Sequence, residues 1–185
     1  MKYKLSIAFV AFLALSTAAS AQRSGSNRSF DYFASVALGS AYPFAPDSFD
    51  EGYKPGFGMM VDVGVKKSIA QLSANFDYHF FFADSPVPDD LNMLTIFAHL
   101  KVNPVESTAR PYIFVGGGYV RYWAVDLNIY ENVLGYGGGA GVELEIGRTR
   151  RLFLEGKHIS AQTRKTEDQA NTQIIPVRIG LTWIF

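Results

Sequence analysis

The C-terminal stretch Gln173-Ile174-Ile175-Pro176-Val177-Arg178-Ile179-Gly180-Leu181-Thr182-Trp183-Ile184-Phe185 alternates between two kinds of side chain. One set of alternate positions is apolar and mostly large, namely Ile175, Val177, Ile179, Leu181, Trp183 and Phe185. The other set includes Arg178, Gly180 and Thr182. Because successive residues of a β-strand point to opposite faces of a sheet, this period of two predicts a strand with one apolar and one polar face.

The same alternation recurs along the chain and predicts eight strands. They span residues 30–40, 56–66, 69–82, 92–102, 111–122, 135–146, 151–161 and 173–185. The connections alternate between shorter, mostly basic turns and longer loops with an acidic excess, and the longer ones include 41–55 and 123–134. An even number of strands with short turns and long loops is typical of an up-and-down barrel that crosses a membrane.

The charged residues of the predicted strands share one face. Under one register per strand they fall on the less apolar side, and the even spacings Glu143/Glu145 and Glu155/Lys157 are the strongest tests of that rule. An eight-stranded barrel is just wide enough for side chains to fill its interior. We therefore predict an interior polar network of Asp31, Asp62, Asp77, His79, His99, Lys101, Arg121, Glu143, Glu145, Glu155, Lys157 and Arg178, and an outer face without formal charge.

Aromatic residues near the strand ends indicate a membrane environment. Alternation alone also fits a soluble β-sandwich or a lipocalin-like barrel, in which the apolar face points inward. Membrane barrels instead carry aromatic girdles at both interfaces. The candidates are Tyr122, Trp123, Tyr136 and Phe80 near the loops, and Phe30, Tyr32, Tyr112, Trp183 and Phe185 near the turns. We therefore predict an all-β fold, an eight-stranded antiparallel up-and-down transmembrane β-barrel with short periplasmic turns and longer extracellular loops.

The N-terminal residues have the three parts of an export signal. Lys2 and Lys4 precede an apolar run over residues 5–15, and Ala19-Ser20-Ala21 is a small-x-small cleavage site. We predict a signal peptide over 1–21, which directs export through the inner membrane, and a barrel domain over 22–185. The chain contains no cysteine, so disulfides do not stabilise it. Its balanced formal charge argues against nucleic-acid binding.

Three stretches resemble the small outer-membrane β-barrel proteins of the OmpA/OmpX or opacity-protein type. They are residues 111–119, residues 152–157, and residues 172–181 with the terminal Phe185. The resemblance implies a cell outer membrane of the Gram-negative type, with lipid and lipopolysaccharide as the surroundings. It also implies that Phe185 is the signal that the barrel-assembly machinery reads. We expect a monomer with no cofactor and no metal, and a structural or surface-interaction role such as envelope integrity or adhesion.

His158-Ile159-Ser160 is the sharpest candidate for catalysis. The predicted register places His158 and Ser160 on the lipid face of the seventh strand, near its loop end. They resemble the His-x-Ser pair of outer-leaflet lipid A deacylases, in which an acid orients the histidine and the serine is the nucleophile. That resemblance implies Glu167 as the acid. Ala161 stands where that family usually has asparagine, and Glu167 falls in a predicted loop, so the hydrolase is the alternative function.

Other interpretations of the interior remain open. The polar network is either a structural lattice of ion pairs or the lining of a narrow solute channel, the second alternative function. His79 and His99 could join Asp77 around a metal, although no compact ligand spacing supports this. The glycine runs 116–118 and 137–139 lack the helix of a phosphate-binding loop. They are interpreted as places where neighbouring aromatic rings lie across bare backbone.

Overall fold

The computed structural model describes residues 30–45, 51–84, 89–105, 107–124, 129–162 and 171–185. Its strands are β1 Asp31–Ala45, β2 Tyr53–Lys67, β3 Ala70–Ala83, β4 Leu91–Val102, β5 Ala109–Ala124, β6 Ile129–Glu145, β7 Arg150–Ala161 and β8 Thr172–Ile184. Each strand pairs antiparallel with its neighbour in sequence, and β8 pairs with β1, so the sheet closes. The predicted eight-stranded antiparallel barrel is confirmed. The predicted signal peptide lies outside the described residues and stays a prediction.

Within the described part of the chain, no helix is long and apolar enough to span a membrane.

The pairing register tilts the strands. From Phe33 in β1, the ladder of paired residues crosses all the other strands and returns to β1 at Pro43, ten residues farther along. It passes through Gly64, Ser73, His99, Gly116, Gly137, Ile159 and Ile174. A stagger of this kind tilts the strands of a closed barrel by roughly 35–45°. The tilt determines which side chains meet at one level of the interior.

The two ends of the barrel differ in their connections. At the turn end are the connections over residues 68–69, 103–108 and 146–149. The shortest of them is closed by Ser68, whose φ of 53° lies in the left-handed region. At the loop end are the connections over 46–52, 84–90, 125–128 and 162–171. We call these two ends the turn end and the loop end throughout.

The strands extend farther at the loop end than the sequence pattern predicted. β1 continues to Ala45, β2 begins at Tyr53 and β6 begins at Ile129. Most of the predicted loop regions 41–55 and 123–134 is therefore strand. The prediction was wrong there because prolines and polar residues interrupt the alternation on which it depended.

Two prolines show how this interruption is tolerated. Pro43 lies at a register irregularity in the pairing of β1 with β8, and Pro55 lies at one in the pairing of β2 with β3. A proline cannot donate a ladder hydrogen bond, and a β-bulge is one of the few places where a strand accepts it. The sequence pattern ends at these bulges, whereas the backbone pairing continues past them.

The apolar face of the barrel points outward. Leu38, Ile113 and Leu134 expose 66%, 64% and 66% of their surface, whereas the side chains of Asp77 and Lys157 expose none. This distribution is the reverse of the one in a water-soluble protein, whose charged residues are almost never fully buried unless paired.

The interior has two layers along the barrel axis. In the half near the loop end most inward side chains are apolar, and we call this cluster the apolar plug. It consists of Ala41, Phe81, Leu91, Met93, Phe97, Val120, Tyr122, Ala124, Val133, Ile159, Ala161 and Ile174. In the half near the turn end the inward side chains are largely charged, and they form the ion pairs described below. The sequence pattern predicted the charged layer but not the plug.

Candidate functional site

One arginine connects two acids at the centre of the charged layer. Arg178 Nη1 lies 2.5 Å from Asp77 Oδ1, and Arg178 Nη2 lies 2.5 Å from Glu155 Oε1. The second oxygen of Asp77 pairs with Lys157 Nζ at 2.8 Å. The side chains of these four residues expose 8% or less of their surface. We call Asp77, Glu155, Lys157 and Arg178 the central ion cluster.

The topology explains how these groups meet. Asp77 is on β3, whereas Lys157 and Arg178 are on β7 and β8, so their contacts cross the lumen of the barrel. Asn75, one inward position before Asp77, accepts a second hydrogen bond from Lys157 Nζ at 3.0 Å. Because a buried charge must be paired and hydrogen-bonded to be tolerated, the four charged groups depend on one another.

A second group of ion pairs lies nearer the turn end. Glu143 accepts hydrogen bonds from Lys101 Nζ at 2.8 Å and from Arg151 Nη1 at 2.9 Å. The ammonium of Lys101 lies 4.3 Å from the centre of the Tyr112 ring. The hydroxyl group of Tyr112 in turn donates a hydrogen bond to Glu155 Oε2 at 2.8 Å. This tyrosine therefore connects the second group to the central ion cluster.

Bare backbone makes room for that tyrosine. A Cβ atom on Gly141 would lie 2.5 Å from both the Cζ and the hydroxyl oxygen of Tyr112. Gly116 gives the same relief to the ring of His99, which its Cβ would overlap. The inward glycines of β5 and β6 thus leave bare backbone against which rings from neighbouring strands pack, as the sequence pattern suggested.

A small cavity opens beside the central ion cluster. Its lining includes Asp62, Asn75 and His99, and it has room for about one water molecule, about 10 Å³. Asp62 Oδ1, Asn75 Nδ2 and His99 Nε2 are buried without a hydrogen-bond partner in the protein. The cavity thus presents one amide donor, one imidazole nitrogen that donates or accepts according to its tautomer, and one carboxylate oxygen that accepts, a set that suits a single water. Its size is far below that of a continuous water-filled channel.

Three residues of the predicted network lie elsewhere. Arg121 points outward, because Tyr112, Phe114, Val120 and Tyr122 occupy the inward face of β5. The expectation of an outer face without formal charge is therefore wrong.

Asp31 and Glu145 do lie on the inward register of their strands. They sit at the turn end, where the barrel opens, and both are exposed. Glu145 pairs there with Arg110 at 2.8 Å. Both acids therefore belong to the rim of the barrel and not to its buried network.

The two interior histidines are not brought into a metal site. Neither ring nitrogen of His79 has a hydrogen-bond partner, and its ring lies 6.3 Å from that of Phe81. His99 packs between Phe97 and Phe114, at 6.1 and 5.2 Å between ring centres. Among the described residues, no group of three or more histidine or acidic side chains is arranged to hold a metal ion.

Sequence reasoning missed three residues that face the barrel interior. The predicted network omits Arg151, although this residue begins the predicted strand 151–161 and shares the alternate positions of Glu155 and Lys157, which was an available signal. Tyr112 and Tyr122 were assigned to the outer girdles, but they are 2% and 5% exposed inside the barrel. Nothing in the pattern of β5 distinguishes its two faces, because both are rich in aromatic and branched residues.

The structure gives His158 a neutral partner. Its Nε2 lies 2.9 Å from Oε1 of Gln173 on the neighbouring strand β8. An amide can orient an imidazole but cannot stabilise an imidazolium as a carboxylate does. Ser160, two residues farther along β7, is 2% exposed. Glu167, the acid implied by the deacylase resemblance, lies outside the described residues.

Fold and polarity together define a class: a small, closed, eight-stranded β-barrel with an apolar exterior and a charged interior. Neisserial surface protein A has this fold; its crystal structure matches with a TM-score of 0.64 and 16% identity, over 85% of this chain and 98% of that one. The N-terminal β-barrel domain of Pseudomonas aeruginosa OprF matches with a TM-score of 0.50 and 13% identity, over 83% and 97%. No protein-family model matches this sequence, and no curated protein matches it.

Proposed function

We propose that this chain is an integral outer-membrane β-barrel with a structural or surface-interaction role and no catalytic activity. The observation that carries the proposal is the inverted polarity of the barrel. Aliphatic side chains cover its outside, and the buried charges of the central ion cluster are inside. Because lipid offers no hydrogen bonds, only a closed barrel or a helix can satisfy every backbone group while crossing a membrane.

The outer surface carries aromatic and basic side chains near both ends of the barrel, where a bilayer has its two interfaces. Near the loop end, the outward rings of Phe57 and Phe80 stack at 5.4 Å between ring centres, and Phe80 meets Phe82 edge-on at 5.1 Å. Near the turn end, the ammonium of Lys67 lies 5.2 Å from the centre of the Phe30 ring. Aromatic and basic side chains are enriched at the two interfaces of membrane proteins. The outer membrane is the destination we propose, in line with the export signal predicted over residues 1–21.

The strand lengths support a role at the surface. β1, β2, β5 and β6 have 15, 15, 16 and 17 residues. A tilted strand needs roughly 9–11 residues to cross the hydrocarbon core. The excess lies at the loop end, so these hairpins project beyond the apolar band, where they can contact other molecules. We propose that the projecting part contributes to envelope integrity or adhesion.

Membrane fractionation with gel electrophoresis tests the location. We expect the chain in the outer-membrane fraction, and we expect the unheated sample to migrate differently from the boiled one because a folded barrel resists the detergent. Recovery in the osmotic-shock fluid, with no effect of heating on migration, would contradict the proposal. Comparing detergent sensitivity and surface attachment of cells with and without the chain then tests the role.

The absence of catalysis is tested on lipid A. We expect mass analysis to show the same acyl pattern in cells that express the intact chain, the Ser160→Ala variant or neither, because His158 is held by an amide. Loss of an acyl chain that requires both His158 and Ser160 would favour the hydrolase instead.

Channel activity is tested in planar bilayers. The apolar plug and the ion pairs fill the lumen, so we expect almost no current from the intact barrel. Steady conductance through the intact barrel would favour the solute channel.

A further inference from the structure

Arg121 breaks the charge pattern of the barrel. Among the described outward positions of β3, β4, β5 and β6, it is the only residue with a formal charge. It also takes part in none of the ion pairs among the described residues. An outward arginine is costly at the centre of a bilayer but tolerated near an interface. A position that violates the pattern in this way is a candidate for function.

The level of Arg121 corresponds to an interface. It lies three residues before the end of β5 at Ala124, near the loop end. Its guanidinium carbon is 5.9 Å from the centre of the Trp123 ring, which shares the outward face. The Trp123 ring in turn lies 6.0 Å from the ring of Tyr78. Arg121 is therefore held in the aromatic girdle at the loop end.

Hydrogen-bond donors surround this arginine. Asn132 is its direct partner across the β5–β6 ladder, and Asn92 is the partner of Trp123 across the β4–β5 ladder. The hydroxyl of Tyr78 donates to Asn92 Oδ1 at 2.5 Å, and that of Tyr119 donates to Asn132 Oδ1. Because each asparagine uses its carbonyl to accept, its amide nitrogen remains available to donate. We call Asn92, Arg121, Trp123 and Asn132 the donor patch.

The donor patch is complementary to an anion. Arginine, asparagine amide and indole groups donate hydrogen bonds, and the described outward positions of β3 to β6 contain no acid to neutralise them. The planar guanidinium is suited to two parallel hydrogen bonds with a phosphate. Toward the turn end the same face becomes apolar at Ile96 and Leu134, which are 39% and 66% exposed. An anion bound here would thus have its apolar part lying along the barrel.

We propose that the donor patch binds the phosphate of an anionic lipid headgroup in the leaflet at the loop end. The inference rests on the proposed membrane location, and it adds the site and the chemistry that the site recognises. A lipid is favoured over free phosphate because the apolar band continues directly from the patch. Arg121 supplies the charge, the two asparagines supply further donors, and Trp123 fixes the plane of the guanidinium.

Lipid retention tests the site. The full-length barrel is reconstituted into phosphatidylcholine vesicles that contain phosphorylated lipid A, extracted into a mild detergent and analysed by native mass spectrometry. We expect the intact barrel to retain the phosphorylated lipid and Arg121→Gln to retain about ten-fold less, the loss expected for one charge-assisted contact. Arg121→Lys should fall between them, because it keeps the charge but not the planar fork.

The matched control is Lys67→Gln, which removes an outward cation stacked on an aromatic ring at the opposite end of the barrel. It should retain the lipid as the intact barrel does. Lipid A without phosphate should not be retained, and inorganic phosphate should not displace the bound lipid. Equal retention by Arg121→Gln, or displacement by inorganic phosphate, would overturn the inference.

Migration on the unheated gel separates the two proposals. If Arg121→Gln shows the heat-dependent shift of a folded barrel but retains the lipid normally, the lipid site is wrong and the membrane location stands. If the intact chain does not insert into vesicles at all, both proposals are overturned.

Discussion

The two halves of the barrel interior are stabilised by different physics. The apolar plug near the loop end depends on burial, which is non-directional and proportional to the apolar area removed from water. The central ion cluster depends on specific partners, because each buried charge is tolerated only while its counterion is in place. We therefore expect the plug to accept changes that preserve its volume, and the cluster to reject changes that preserve volume but remove a charge.

Replacing Arg178 with methionine should give the largest effect. The variant keeps a long side chain but leaves Asp77 with one cation and Glu155 with none of its described ion-pair partners. Breaking a buried pair in this way costs about 3–5 kcal/mol of the free energy of unfolding. The measurement is urea unfolding of the barrel refolded into lipid vesicles, followed by tryptophan fluorescence.

The control for Arg178→Met lies in the plug. Met93 is 1% exposed, and Met93→Leu preserves volume and polarity, so it should cost less than about 1.5 kcal/mol. If Arg178→Met and Met93→Leu lowered the free energy of unfolding by equal amounts, the distinction between the two halves would be lost.

Two aspartates sharpen the comparison within the charged layer. Asp77 pairs with both Lys157 and Arg178, whereas Asp62 takes part in none of the described ion pairs. Both are buried, at 0% and 7% exposure. Asp77→Asn should therefore cost about 2–4 kcal/mol, because two buried cations lose a counterion. Asp62→Asn should be neutral within about 1 kcal/mol, because it removes a buried charge that has no ion partner.

The same urea experiment distinguishes these two isosteric variants. An equal loss of stability at both positions would show that the charge itself matters here, and not the contact it makes. A larger loss of unfolding free energy in Asp62→Asn than in Asp77→Asn would mean that Asp62, and not Asp77, is the acid on which the charged layer depends most.

The sequence predicted the closed barrel and the face of most strands. Alternation is a direct consequence of strand geometry, so Arg178 in β8, Glu143 in β6 and Asp77 in β3 could be assigned without a structure. Strand ends could not be assigned in the same way, because Pro43 and Pro55 interrupt the pattern where the ladder continues through bulges.

The assignment of Arg121 failed for another reason. β5 places Tyr112 and Phe114 on one face and Ile113 and Val115 on the other, so its apolar content does not identify an inside. The predicted register of β5 therefore depended on the rule that charges point inward, and this rule assigned Arg121 to the inward face, which is wrong. The apolar plug was missed because alternation tells which residues face the lumen but not how they divide along the axis.

Two glycine variants compare a position where an added Cβ would meet neighbouring atoms with a position where it would meet none. A Cβ on Gly141 would press on Tyr112 and on the carbonyl oxygen of Leu154, whereas a Cβ on Gly156 would meet nothing within 4 Å. Gly141→Ala should cost about 1–3 kcal/mol, because both the Tyr112 ring and the carbonyl oxygen of Leu154 must shift. Gly156→Ala should be neutral or stabilising by up to about 1 kcal/mol, because alanine restricts the unfolded chain. Urea midpoints of both variants check the pair, and a harmless Gly141→Ala would mean that the Tyr112 ring does not depend on bare backbone.

The smallest effect should come from an ion pair that is exposed at the rim. Lys54 Nζ lies 2.9 Å from Asp84 Oδ1 at the loop end, a distance similar to that between Lys157 and Asp77, yet the side chains are 59% and 41% exposed. Water and salt screen such a pair, so Lys54→Ala should lower the free energy of unfolding by less than about 1 kcal/mol. Repeating the urea titration at high salt should erase even that difference, whereas the loss in Arg178→Met should persist because the lumen excludes the screening ions. A loss in Lys54→Ala as large as that in Arg178→Met would mean that contact distance, and not burial, decides what an ion pair contributes to this barrel.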